Sequence, residues 1–224
     1  MDLRDRIVLV TGSTDGVGRL VARRLADQGA RVLIHGRDHH RGKQVVDQIQ
    51  AVGRGSAIFL PADFSSLVEV RRLANVVRQT CGHLDVLINN AGIGSGGSAG
   101  KRETSRDGLE LRFAVNYLAG FLLTRLLLPL MMVSKPARIV NVSSLGQHPI
   151  DFDDVMLTRG YTGGGPMPKA NSRRSCSRLI LRASSIQRQS QRIACIRRLT
   201  WQQQWCGRAA LLRSAPSTKE QKRS

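Results

Sequence analysis

The sequence has 224 residues and a mass of 24.6 kDa, long enough to bury a sizeable core and too long for a disulfide-stapled miniprotein. Hydrophobic residues make up 41% and aromatics 4%, and no uncharged apolar run reaches the ~18 residues expected of a membrane span. The net charge of +19 is unevenly placed: residues 1–163 carry 21 basic and 15 acidic residues, a balance of +6, whereas residues 164–224 carry 14 basic residues and Glu220 alone, a balance of +13.

The chain therefore divides into two unlike parts. Through residue 163, short β-branched runs alternate with helical patterns, the rhythm of βαβ units and of a parallel sheet with helices on both faces. Ile7–Val10 reads as a buried strand, and after the loop Gly12–Gly18 the apolar residues Val17, Leu20, Val21 and Leu25 share a helical face that ends at Gly29. A strand at Arg31–Ile34, a helix at Lys43–Val52, a strand at Ala57–Leu60, a helix at Leu67–Val77 and a strand at Asp85–Ile88 follow. A long helical region from about Leu109 to Met132 precedes the strand Arg138–Val142. Right-handed crossovers give the strand order 3-2-1-4-5, a Rossmann-type doubly wound α/β fold with a crevice where the winding reverses. Residues 1–163 thus read as a dinucleotide-binding domain. Residues 164–224 place Arg173, Arg174, Arg178, Arg182 and further arginines among Ser and Gln with no apolar stripe, and the expectation there is a basic, disordered or poorly packed tail with the later strands missing. The strand Arg138–Val142 would then be an open apolar edge and the chain prone to aggregate.

The first βα turn reads Thr11-Gly12-Ser13-Thr14-Asp15-Gly16-Val17-Gly18. Glycine is needed there for positive φ and for the close approach of backbone to a pyrophosphate seated on a helix N-terminus. At the end of the second strand stand Arg37 and Asp38. An acid would accept from a free ribose 2′-hydroxyl, whereas the planar fork of Arg37 pairs with a 2′-phosphate. NADP(H) is therefore favoured, with Asp38 keeping NAD(H) as the alternative.

With Asp63, Asn89-Asn90-Ala91-Gly92, Asn116 within VNYLAG, and Ile139–Ser144 (IVNVSS) following in order, residues 5 to about 163 resemble the short-chain dehydrogenase/reductase family. The resemblance implies an oxidoreductase moving hydride between a nicotinamide and a carbonyl or alcohol of a small-molecule substrate. It assigns cofactor binding to Gly12, Ser13, Asp15, Gly16, Val17, Gly18, Arg37, Asp63, Asn90, Ala91 and Gly92. Asp63 would contact the adenine, Asn116 would anchor a proton-relay water, and Ser144 would hold the reacting oxygen, donating to it as it gains charge.

One feature of the family is absent. Its acid/base pair is YxxxK, the Lys lowering the phenol pKa; here Tyr161 is followed four residues on by Gly165, and no YxxxK occurs anywhere. Reading Pro166–Arg178 from the third base of each codon permits Tyr-Ala-Gln-Ser-Lys, its Tyr opposite Met167 and its Lys opposite Asn171. The same frame over Ser190–Trp201 permits a segment resembling the family's VNxxxP. A single-base change in the gene, or a sequencing error, near codons 162–165 is the expectation this raises. The spacing from Ser144 to the position of Met167, 23 residues, resembles the retinol-dehydrogenase-like branch. An inactive nucleotide-binding remnant is the competing reading.

The remaining polar clusters read blandly. His148, Asp151, Asp153 and Asp154 share one loop and are expected to be solvated, with no metal. Phe121–Val133 is apolar but broken by Arg125 and Pro129, and reads as a packed helix with a homo-oligomer contact left open. Trp201 and Trp205 in the tail do not make a nucleic-acid site. Four cysteines without CxxC spacing suggest reduced thiols, and with no secretory leader pattern the expected location is cytoplasmic.

Overall fold

The apolar runs assemble in the computed structural model into one parallel sheet, and alternation along each strand decides which helix layer each side chain meets. The structure describes residues 3–94, 102–134, 136–143, 152–159 and 161, together with the backbone of 194–197. The elements are β1 (Ile7–Val10), α1 (Gly16–Asp27), β2 (Arg31–Gly36), α2 (His39–Val52), β3 (Ser56–Pro61), α3 (Leu67–Thr80) and β4 (Val86–Asn89). They continue with α4 (Leu111–Phe113), a π-helical turn (Ala114–Leu118), α5 (Ala119–Val133), β5 (Arg138–Ser143) and β6 (Ala194–Arg197).

Strand order is β3-β2-β1-β4-β5-β6, and every pairing between named strands is parallel. The expected order 3-2-1-4-5 is met, and β6 extends it. Backbone pairing of Val140 with Ala194 through Ser143 with Arg197 covers the outer edge of β5. The edge of β5, expected to be open, is thus paired over Val140–Ser143. Strand pairing needs only backbone donors and acceptors, so a segment with no alternating pattern can still supply it. The rest of the proposed tail lies outside the described residues. The other edge strand, β3, ends on Pro61, which has no N–H to leave unpaired.

Both sheet faces are covered, so the middle of the sheet is apolar on both sides, β1 wholly so, and polar residues such as His35, Asn89 and Ser143 fall at the strands' C-terminal ends. Ile7 and Leu9 of β1 pack with Leu33, Leu73, Leu87, Leu123, Leu127 and Met131 under α3 and α5, while Val8 and Val10 pack with Val32, Ile34, Val45 and Ile49 under α1 and α2. Burial of a leucine of this kind contributes about 1.5–3 kcal/mol. The helical run Leu111–Val133 has 23 residues and is long and apolar enough to cross a membrane, but half of it is buried inside this fold. That length exceeds the expectation drawn from Phe121–Val133 alone, and the packing is that of a core helix.

At the N-terminal ends of the strands, Asp85 is 2% exposed and ties three elements together. It accepts from Arg6 Nη1 at 2.7 Å, from the Ile7 amide at 2.8 Å and from Ser134 Oγ at 2.5 Å. Burial pushes its carboxyl up, but these donors outweigh it and hold the group below its ordinary value. The chemistry lies at the opposite edge.

Candidate functional site

The C-terminal ends of β1, β2 and β4 open onto a cleft of about 590 Å³ lined by Gly12, Gly16, Gly18, Arg37, Asp63 and Asn90, among other residues. This is where a doubly wound sheet leaves a crevice, because the crossovers leave β1 in opposite directions. β5 runs parallel beside β4, so its last residue, Ser143, reaches the same edge. Ser144, the expected holder of the reacting oxygen, lies outside the described residues.

Glycine is required in the turn by contact rather than by habit. A Cβ on Gly12, which has φ +63°, would lie 2.7 Å from Ala91 Cα, and one on Gly18 would lie 2.2 Å from the Gly12 carbonyl oxygen. Thr11 and Asn90 then sew this turn to the loop after β4. Thr11 Oγ1 accepts from the Asn90 and Ala91 amides at 2.9 and 3.0 Å, and Asn90 Nδ2 donates to the Thr11 and Gly12 carbonyls at 2.9 and 3.0 Å. Asp15 occupies the Gly16 amide at the start of α1, and the amides that follow it, at the cleft-lining Val17 and Gly18, form the positive end of this 12-residue helix. A side chain at Gly12 or Gly18 would push the turn off the backbone it packs against, whereas Gly16, where a Cβ would meet nothing, leaves the cleft side of the turn open to the pyrophosphate of a dinucleotide.

Not every expected site residue presents its side chain to the cleft. Ser13 is fully buried and turned inward: its Oγ donates to the Val10 carbonyl at 2.7 Å and accepts from the His35 amide at 3.0 Å. Asp15 caps α1, accepting from the Gly16 amide at 2.7 Å, and pairs with Arg41 Nη1 at 2.9 Å. A carboxylate cannot face a phosphate, so Asp15 can serve a cofactor only through backbone. Val17, Ala91 and Gly92 line the cleft. Asp63 lines it too, with Oδ1 accepting from the Ser65 amide at 3.0 Å and Arg106 3.7 Å from Oδ2.

Arg37 and Asp38 divide their labour. Asp38 caps α2: its Oδ1 accepts from the Arg41 amide at 3.0 Å, and chiefly that donation lowers its carboxyl pKa. Arg37 is exposed at the cleft and has no hydrogen-bond or ion-pair partner among the described residues.

Asn116 sits in the π-helical turn and is 8% exposed. Its Oδ1 accepts from the Ile93 amide at 2.8 Å and its Nδ2 donates to the Ile93 carbonyl at 3.0 Å. The side chain is committed to holding the loop after β4. One Nδ2 proton and one Oδ1 lone pair remain for a water, and π turns frequently mark functional places.

Tyr161 meets a guanidinium rather than a lysine: Arg112 Nη1 donates to its hydroxyl, and Arg112 Nε donates to the Gly94 carbonyl at 3.2 Å. Arg112 also lies 3.7 Å from Glu110 and 3.8 Å from Glu103. Met167 and Asn171, where the other frame would supply the pair, lie outside the described residues.

Asp154 corrects the expectation of a solvated loop. It is 8% exposed and accepts from the Thr158 amide, the Arg159 amide and Thr158 Oγ1 at 2.8–2.9 Å. Donation from those two amides first of all pulls its pKa down to about 2. Among the described residues no three His, Cys, Asp or Glu side chains converge as metal ligands. Sequence reasoning missed Arg41, which bridges Asp15 and Asp38, and the ring of His35 in the cleft wall. A buried-strand reading extended to Gly36 would have drawn attention to His35.

Comparisons agree with this geometry. Residues 6–150 match the family model described as short chain dehydrogenase. The chain is 38% identical over 164 residues to mouse polyprenol dehydrogenase, covering 70% of this chain and 48% of that protein. It is 37% identical over 167 residues to human retinol dehydrogenase 11, covering 73% and 51%. It thus spans about half the length of the curated relatives it matches. Among solved structures, a metagenomic short-chain oxidoreductase in complex with NADP aligns with a TM-score of 0.70 at 28% identity, covering 96% of this chain and 92% of that one. A Pseudomonas aeruginosa RhlG/NADP active-site complex aligns with a TM-score of 0.60 at 31% identity, covering 80% and 65%. The five-strand order, the glycine cradle and these likenesses converge: the chain belongs to the short chain dehydrogenase family and is retinol-dehydrogenase-like.

Proposed function

We propose that the cleft binds a nicotinamide dinucleotide, NADP(H) ahead of NAD(H), for hydride exchange with a small carbonyl or alcohol substrate. The observation that carries this reading is the cradle in which Gly12 and Gly18 have no room for a side chain. When bound, the cofactor supplies or accepts the hydride. The amides at the start of α1 hold its phosphates, Asp63 borders the adenine end, and Asn116 keeps the loop at Ile93 in place. Ser144 is the residue we assign to the substrate oxygen, as a donor to growing negative charge.

Arg37 supports the NADP(H) preference, because no carboxylate neutralises it and Asp38 is occupied as a helix cap. Titration of the full chain with NADPH and NADH is the test. Wild type should favour NADPH, and Arg37→Asp should weaken NADPH about ten- to hundredfold while leaving NADH unchanged or improved, the scale of one charge-assisted contact. Equal affinity of wild type for the two nucleotides would refute the preference, and binding of neither would refute the site.

A second reading rests on the partner of Tyr161. Its hydroxyl meets Arg112, and the sequence has no YxxxK, so a nucleotide-binding protein without turnover is the competing function. Binding of NADPH with no oxidation by a panel of aldehydes and ketones would favour it. Restoring the frame near codons 162–165 should then create turnover.

A further inference from the structure

His35 stands in the wall of the cleft, and none of the roles above uses its ring. It is the next-to-last residue of β2, 2% exposed, between the glycine turn and Phe64. Its Nδ1 accepts from the Gly12 amide at 3.1 Å. Its backbone grips the next residue of the same turn: the Ser13 amide donates to the His35 carbonyl at 2.8 Å, and the His35 amide donates to Ser13 Oγ at 3.0 Å. The ring is stacked on Phe64 with centroids 4.3 Å apart and planes 30° from parallel.

This geometry selects one form of the ring. With Nδ1 accepting, the proton of a neutral imidazole must be on Nε2. Among the described residues Nε2 is buried without a well-formed hydrogen bond, the Ala62 carbonyl being the backbone acceptor that acts on the ring. An imidazolium would instead turn an Nδ1 proton toward the Gly12 N–H, donor against donor. Burial holds the ring's pKa down at about 4, against the opposing pulls of the Ala62 carbonyl and the Asp63 charge, so the ring is neutral near pH 7. A phenylalanine could stack on Phe64 without burying an unsatisfied N–H. Nδ1 returns a hydrogen bond to the Gly12 amide that a phenylalanine could not make.

What it returns is one side of a clamp. Gly12 has φ +63° and, as glycine, the widest backbone freedom of any residue. Its N–H is held by His35, and its carbonyl by Asn90 Nδ2 at 3.0 Å. With one end tied to β2 and the other to the loop after β4, the turn need not be ordered when an anion arrives. We propose that His35 is a positioning residue whose neutral Nε2–H ring accepts from the Gly12 amide and presets the turn for the pyrophosphate of a nicotinamide dinucleotide. The pyrophosphate part of this proposal rests on the dinucleotide reading of the cleft; the clamp itself does not.

The test compares full-length wild type with His35→Phe and His35→Asn. Nitrogen NMR of the labelled imidazole should report an unprotonated Nδ1 at pH 7, and a protonated Nδ1 would overturn the proposal. His35→Phe should speed hydrogen exchange at the Gly12 amide and weaken NADPH about tenfold, the scale of one hydrogen bond. His35→Asn, whose Oδ1 can accept in place of Nδ1, should keep NADPH affinity within about threefold. If His35→Phe binds NADPH as wild type does and protects Gly12 equally, the proposal fails. If wild type binds no dinucleotide, the function proposed for the cleft fails, and the exchange and tautomer measurements still decide for or against the clamp. If His35→Phe does not fold, the tautomer signal and the affinity of His35→Asn decide it.

Discussion

The two halves of the sheet's C-terminal edge use their polar groups differently. Around β1, β2 and the start of the loop after β4, Thr11, Ser13, Asn90 and Asn116 all have their side chains hydrogen-bonded to backbone, and His35 Nε2 is the one buried side-chain atom there without a well-formed hydrogen bond among the described residues. Around the ends of β4 and β5, Asn89 Oδ1 and Ser143 Oγ are buried with no partner, and a cavity lies between Asn89, Thr124 and Asn141. The first half is a cradle completed in advance. The second buries polar atoms that no described neighbour satisfies, so among the described residues the two halves differ in how many buried polar atoms are paired.

The sharpest way to break that contrast is to fill the cradle. Gly18→Val would press side-chain carbon against the Gly12 carbonyl, and overpacking against backbone should cost about 3 kcal/mol or more. Loss of NADPH binding and a lower melting temperature are expected; unchanged binding would remove the cradle from the argument. Asp85→Asn tests the far edge of the sheet. It should cost about 2–3 kcal/mol, from hydrogen bonds made to a charge, with NADPH affinity unchanged in the folded fraction. Because folding lowers the Asp85 pKa, its ionised form stabilises the fold above the unfolded value of about 3.9. That contribution is lost as pH falls through the lower folded value, so wild-type and variant melting curves should converge in acid. The smallest effects form a matched pair. Ser13→Ala leaves the His35 amide without its acceptor and should cost about 1–2 kcal/mol, whereas Ser143→Ala removes an unsatisfied hydroxyl and should shift stability by less than about 0.5 kcal/mol. Equal costs for the two serines would erase the distinction between the halves.

Much of this was legible because the signals are local. Strands buried on both faces appear as unbroken apolar runs, and the glycine turn and the motif at Asn89–Gly92 appear as short strings in order. What stayed hidden depends on contacts between distant residues. β6 forms by backbone pairing with β5, which leaves no mark in side-chain periodicity. The bridge from Asp15 to Arg41 and the bond from Gly12 to His35 join positions more than 20 residues apart. The commitment of Asn116 to Ile93 and of Asp154 to its own loop became visible only when each acceptor was matched with its donors.

The π-helical turn has a consequence for how this helix can change. Ala114 and Ala119 are both buried, and the Ala119 amide donates to the Ala114 carbonyl five residues back. In an ordinary α-helix, residues five apart point about 140° away from each other. The extra residue resets the rotation, so that Asn116 meets the loop after β4 while Leu123, Leu127 and Met131 still face the sheet. A one-residue deletion between Ala114 and Leu118 would straighten the helix and swing one of these two sets away by about 100°, so the length of this segment is constrained even where individual side chains are exchangeable.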